Sequence, residues 1–136
     1  MARTIRPNLA ANNPYYISRH RYYELKHFCL QYYEWKAAYD SAIFERGKSI
    51  LSTIQAHDWP DPTGDTATTL VKYSSQMALV EETALEADET IGQFLFKAVT
   101  EELSFTYLKT NCYIPCERDM YYDRYRKFFW LLDKKR

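Results

Sequence analysis

Apolar side chains recur at three- and four-residue steps along most of this chain, which is the period of an α-helix lying on a core. From Ser18, a good N-cap, the stripe runs Tyr22, Leu25, Cys29, Tyr32, Trp35 and Tyr39. It predicts one long helix with no breaker before Gly47, and Tyr32-Tyr33 as the place for a bend. Ser49 to Gln55 predicts a further short helical turn. His57 to Thr69 (HDWPDPTGDTATT) concentrates Pro, Gly and Asp and predicts a loop, with Trp59 pinning it to the body. A second stripe, from about Asp65 as cap, takes in Leu70, Tyr73, Met77, Val80, Ala84 and Ala87, with Glu81, Glu82 and Glu86 on the solvent side. Asp88 can cap a third helix with Ile91, Leu95, Ala98, Val99 and Leu103 inward. Gly92 near its start costs about 1 kcal/mol relative to Ala, so a close helix contact is expected there.

Leu103 to Arg136 (LSFTYLKTNCYIPCERDMYYDRYRKFFWLLDKKR) reads as a short helix, a tight turn and a long basic-aromatic helix. Ser104 caps the first, with Phe105 and Leu108 inward. Asn111-Cys112 is the turn, Asn being the residue that tolerates a left-handed backbone. Ile114 plugs the core and Pro115 sets the entry of the last helix, expected from about Cys116 to Asp133. Glu117 and Asp119 sit in its first turn, toward the positive helix end. Tyr121, Tyr125, Phe128 and Leu132 fall on one face, with Leu131 nearby. Arg118, Asp119, Tyr122, Asp123 and Arg126 fall elsewhere. This is the outline of a helix-turn-helix, whose second helix enters the DNA major groove. In that geometry Arg118, Tyr122 and Arg126 are candidates for base or groove contact, Thr106, Lys109, Arg124 and Lys127 for phosphate, and Asp119 is counted with them among the DNA-binding residues. Lys134, Lys135 and Arg136 add charge without reading sequence. A plainer account exists for the same residues: basic side chains late in a helix complement its dipole, and Asp119, Asp123 and Lys127 build a surface ladder.

Charge changes the picture by where it lies, since the total is zero. Residues 1–40 carry six Lys/Arg against three Asp/Glu, residues 41–102 four against eleven, and residues 103–136 eight against four. Two basic ends flank an acidic middle, which disfavours strong non-specific nucleic-acid binding but leaves a local basic docking face open. Thirteen Tyr suit half-buried faces, because each ring packs while its hydroxyl stays wet. With 136 residues the expectation is one compact domain: a basic arm at 1–13 holding Arg3 and Arg6, a helical region at 14–102, and the helix-turn-helix at 103–136. No signal-peptide pattern and no membrane-length apolar run is present, so the expected setting is a reducing cytoplasm with Cys29, Cys112 and Cys116 as free thiols.

Catalytic chemistry finds little to work with. No Gly-rich phosphate loop and no Ser/His/Asp set occurs. Cys112 and Cys116 have no second Cys pair, and His20, His27 and His57 are distant from them, so neither metal nor cofactor is expected. Glu81-Glu82 with Glu101-Glu102 is the one arrangement that could gather a metal ion for nuclease chemistry, and solvated helix faces explain those residues without it.

The segments NPYYISRHRYYELKHFCLQYYEWKAAY (13–39), VKYSSQMALVEETALEAD (71–88) and IPCERDMYYDRYRKFFWLL (114–132) resemble RinA-like or ArpU-like regulators of phage late transcription, from phages and prophages of Gram-positive bacteria. The C-terminal part resembles region four of bacterial sigma factors, through Leu103-Ser104-Phe105 with Leu108 and Ile114. The resemblance implies a recognition helix over roughly Cys116 to Lys127. Two departures stand out: Ile114-Pro115-Cys116 where such modules place Ser or Thr at the helix cap, and Tyr33 where the family often has Pro.

The expectation is therefore an all-α protein, with long N-terminal helices packed on a C-terminal helix-turn-helix like sigma region four. The resemblance implies a sequence-specific DNA-binding activator of phage or prophage late genes, whose partners are double-stranded DNA and host RNA polymerase. A homodimer stays open, since a half-palindromic site would require one. The rival class is a phage-encoded protein-binding module that holds or inhibits a host protein through its aromatic helix.

Overall fold

The computed structural model describes residues 13–56 and 64–136; the expected basic arm and the 57–63 part of the loop, with Trp59, lie outside the described residues. Every regular element among the described residues is a helix, so the protein is all-α. The order is α1 (Arg19–Leu30), α2 (Tyr32–Ala56), α3 (Gly64–Ala87), α4 (Gly92–Glu101), α5 (Phe105–Asn111) and α6 (Arg118–Lys135).

The long first helix expected from the apolar stripe is two helices. Ser18 caps α1, its Oγ accepting from the Arg21 amide at 3.3 Å. At Gln31 the backbone amide turns back to the Phe28 carbonyl at 3.2 Å and the side-chain amide donates to the His27 carbonyl at 3.2 Å. These bonds satisfy carbonyls that α1 leaves open at its end. A bend was expected one residue later, at Tyr32-Tyr33. Gly47 ends nothing: α2 runs through it to Ala56 and absorbs the separate turn expected at 49–55. A Cβ at Gly47 would meet no atom within 4 Å, so glycine there answers to no packing demand.

The chain divides into two compact units, residues up to 31 with 79–136, and residues 32–78. In the second unit Tyr32 and Trp35 are buried, while Ile43, Phe44 and Val71 are 46%, 68% and 64% exposed.

The first unit carries the helix-turn-helix. Its α1 packs against α4 and α6, and α4 against α5 and α6. The core is aromatic: Tyr22, Tyr121, Phe128 and Phe129 are almost wholly buried, with Leu25, Ile91, Leu95, Leu108, Ile114 and Leu132 around them. Tyr22 and Tyr125 each stand edge-on to Phe129 at 5.0 Å, and Phe128 does so at 4.9 Å. Phe129, outside the predicted stripe, is thus a centre of the core. The Tyr22 and Tyr125 hydroxyls share a hydrogen bond of 2.8 Å. Burial pushes the Tyr22 phenol up to about 12 and holds that of Tyr125 well above its ordinary value.

Asp88 links α3, α4 and α6. Its Oδ1 accepts from the amides of Thr90 at 2.8 Å and Ile91 at 3.0 Å and so holds the turn ahead of α4; the N-cap itself is Ile91, without a side-chain cap bond, so Asp88 is not the helix cap that the sequence predicts. Its Oδ2 accepts from Arg124 Nε on α6 at 3.0 Å. Burial alone would raise the Asp88 carboxyl, but these amide and guanidinium bonds outweigh it and hold the group below its ordinary value. Gly92 is the expected close approach: a Cβ there would lie 3.0 Å from the Ala84 carbonyl oxygen and from Leu85 Cα of α3.

The C-terminus is bound back onto this unit. Arg21 Nε donates to Asp133 at 2.7 Å, and Lys135 pairs with Glu86 and donates to Thr83 Oγ1 at 3.2 Å. Arg136 lies over the Phe28 ring at 4.0 Å, and Lys134 over Trp130 at 3.3 Å. The terminal cations expected as loose charge are therefore engaged by the body of the protein.

Candidate nucleic-acid interface

The site is built by how α4 stops and α5 begins. Glu102 adopts a left-handed backbone, φ 57°, and the Leu103 amide reaches back to the Ala98 carbonyl at 3.1 Å. That is the Schellman ending, which reverses the chain within two residues. Ser104 then caps α5, its Oγ accepting from the Tyr107 amide at 3.1 Å, and Phe105 and Leu108 turn into the core.

The turn after α5 differs from expectation at two points. The left-handed residue is Tyr113, φ 57°, rather than Asn111. Asn111 remains helical, and the Cys112 and Ile114 amides both close onto the Leu108 carbonyl, at 3.1 and 3.2 Å. The reversal therefore falls after Cys112, where it drives Ile114 into the core. The last helix also starts later than Cys116. Cys116 is buried in a bend, its carbonyl accepts from Lys109 Nζ at 3.3 Å, and Glu117 is extended, so α6 begins at Arg118. Pro115 accordingly lies in the connection and not in the first helical turn. Glu117 occupies the N-cap without a side-chain cap bond, which fits the absence of Ser or Thr there.

Arg118, Tyr122 and Arg126 lie one helical turn apart on α6 and form a single ridge. Arg118 is exposed; its guanidinium sits over the rings of Phe105 at 5.2 Å and Tyr122 at 5.8 Å, and Nη1 donates to the Tyr122 hydroxyl at 3.3 Å. The aromatic platform restricts the arginine before any partner arrives. Arg126 and Lys127 are half-exposed and have no carboxylate partner among the described residues. Thr106 is exposed on α5.

The other predicted residues are engaged within the fold. Arg124 joins Asp88 and Asp123, both at 3.0 Å, and so ties α6 to the α3–α4 junction. Lys109 spans the turn to the Cys116 carbonyl and lies 3.7 Å from Glu117. These pairs offset two of the three carboxylates in the first turns of α6. Asp119, the third, is exposed where the helix dipole favours a negative charge. Sequence reasoning passed over Tyr107, Tyr113 and Met120, which are 44%, 81% and 41% exposed on this segment. An aromatic residue between the Asn-Cys turn and Pro115 was the available signal for Tyr113.

No helix among the described residues is long and apolar enough to cross a membrane, and no three His, Cys, Asp or Glu side chains among them gather as metal ligands. Comparison with protein-family models, with curated proteins and with solved structures gave no match.

Proposed function

We propose that this protein is a sequence-specific DNA-binding regulator of transcription that places α6 in the major groove. The observation that carries the reading is the division of labour among its cations. Arg21, Lys26, Lys109, Arg124 and Lys135 are paired with carboxylates, whereas exposed Arg118 and half-exposed Arg126 and Lys127 of α6 have no carboxylate partner among the described residues. Arg118 and Arg126, with Tyr122 between them, present donors suited to the acceptor edge of guanine. Lys127 suits a phosphate, with Thr106 as a hydroxyl donor. The resemblance to phage late-transcription regulators directs the proposal to late genes of a phage or prophage, to activation through host RNA polymerase, and to the host cytoplasm.

The test is fluorescence anisotropy with DNA from upstream of the protein's own late operon, against a scrambled duplex, at two salt concentrations. We expect binding that prefers the cognate duplex and falls with salt, the log–log slope being roughly −0.9 per phosphate neutralised. Arg118→Ala and Arg126→Ala should each cost about 1–3 kcal/mol against the cognate site. Equal affinity for both duplexes, or silence of both substitutions, overturns the assignment.

One observation favours a second reading, a protein-binding module. Ile43, Phe44 and Val71 in the 32–78 unit expose more apolar surface than a solvated helix face needs. A host protein or a second copy of this chain would cover it, and binding of that kind changes little with salt.

A further inference from the structure

We infer that the DNA half-site taken by α6 carries two guanines three to four base pairs apart, one for Arg118 and one for Arg126. This rests on the DNA reading and names the sequence that the same ridge selects. Arg118 and Arg126 stand two helical turns apart on α6, with Tyr122 midway between them. At 1.5 Å of rise per residue the two arginines are separated by about 12 Å along the helix axis. Base pairs in B-DNA rise by about 3.4 Å, so a helix lying in the major groove sets the two side chains against base pairs roughly three to four apart. A guanidinium offers parallel donors, and guanine presents two acceptors, N7 and O6, side by side in that groove. Neither arginine has a carboxylate partner among the described residues that DNA would have to displace.

The two arginines are not equivalent. The Arg118 guanidinium lies over the rings of Phe105 at 5.2 Å and Tyr122 at 5.8 Å, and its Nη1 donates to the Tyr122 hydroxyl at 3.3 Å. Phe105 is buried, so this platform belongs to the core rather than to a mobile surface. One donated bond uses one of five N–H groups, which leaves enough for a bidentate guanine pair. Arg118 is therefore ordered before DNA arrives, whereas Arg126 has no aromatic or hydrogen-bonded support among the described residues and loses its rotamer freedom on binding. The guanine at Arg118 is the more strictly required of the two. The Tyr122 hydroxyl, having accepted from Arg118, keeps its own proton to donate. It lies about 6 Å along the axis from each arginine and suits an acceptor on the intervening base pairs, such as thymine O4 or a purine N7.

The test selects duplexes from a random-sequence pool with the full chain, then measures the enriched site by fluorescence anisotropy. That site should hold two guanines three to four base pairs apart. Replacing the guanine read by Arg118 should weaken binding about thirtyfold, and replacing the one read by Arg126 about fivefold. Arg118→Ala should relax the requirement at the first position alone, and Arg126→Ala at the second alone. Tyr122→Phe keeps the ring but not the hydroxyl, and should reduce discrimination at the Arg118 position about fivefold. A selected site that lacks the guanine pair, or holds it at any other separation, overturns the inference and leaves DNA binding standing. So does an arginine variant that relaxes both positions or neither. A pool with no enriched sequence overturns the DNA reading and the inference together. The spacing selected by the wild-type chain needs no variant, so it decides even where a substitution disturbs folding.

Discussion

The contact that ties the candidate interface to its scaffold is Asp88, and its removal has a calculable cost. Asp88→Ala deletes an acceptor of two turn amides ahead of α4, at 2.8 and 3.0 Å, and a guanidinium bond at 3.0 Å to Arg124. Loss of such hydrogen bonds costs about 1 kcal/mol. The charged hydrogen bond contributes about 1 to 2 kcal/mol, because the Asp88 side chain is only 11% exposed while Arg124, at 32%, is partly screened by solvent. Together about 2–3 kcal/mol should be lost in urea or thermal unfolding. Asp88→Asn keeps an acceptor for the amides and drops the charge, so it should cost about half as much. Arg124→Ala should cost about 1 kcal/mol, and the double variant should show a coupling of similar size. Because the folded carboxyl lies below its ordinary value, the contribution is present above the unfolded pKa and fades as the pH falls through the folded one. The gap between wild type and Asp88→Asn should therefore close in acid. The reasoning fails if Asn is as costly as Ala, or if Asp88 and Arg124 show no coupling. The same series separates roles: Arg124→Ala should change stability with little effect on cognate DNA affinity per folded molecule.

Gly92→Ala should destabilise the protein by about 1–2 kcal/mol in denaturant titration, although Ala is the better helix former, because the new methyl meets the Ala84 and Leu85 backbone at 3.0 Å; a gain in stability would refute the close approach. Tyr113→Gly should stabilise by about 1 kcal/mol, since the residue is exposed and held at φ 57°; a clear loss in thermal unfolding would show that the ring packs. The raised Tyr22 phenol must stay protonated in the fold, so its stability is intact below the unfolded pKa near 10 and is lost as the pH rises through about 12, by about 2–3 kcal/mol. Tyr22→Phe should lessen that alkaline loss in a pH series followed by circular dichroism, the remainder coming from the raised phenol of Tyr125.

Much of the helical plan was legible because one side of each helix faces the core. The stripes through Tyr22, Leu25 and Cys29, through Val80, Ala84 and Ala87, and through Ile91, Leu95 and Ala98 are buried as their spacing requires. Ser18 and Ser104 were legible for a related reason: a short oxygen-bearing side chain at a helix start meets a local need for acceptors, a need that Asp88 meets only in the turn ahead of α4. The break at Gln31 was displaced by one residue, since no Gly or Pro marks it and the closing bonds come from Gln31 itself. The left-handed residue was misplaced because Asn111 has the intrinsic preference, whereas the position of the reversal follows from where Ile114 must be buried.

The candidate site divides along the same line. Local spacing sufficed to put Arg118, Tyr122 and Arg126 on one ridge of one helix, since a 3.6-residue period acts between neighbours in sequence. It also determined the all-α class and the outward Glu81, Glu82 and Glu86. Only the tertiary structure decided which cations remain available. Arg124 and Lys127 look alike in the sequence, but Asp88, 36 positions away from Arg124, claims the first and no described carboxylate claims the second. Tertiary packing likewise made Phe129 a core residue. Helical periodicity is a short-range property of the backbone, whereas charge pairing and cavity shape depend on distances between segments that folding alone brings together.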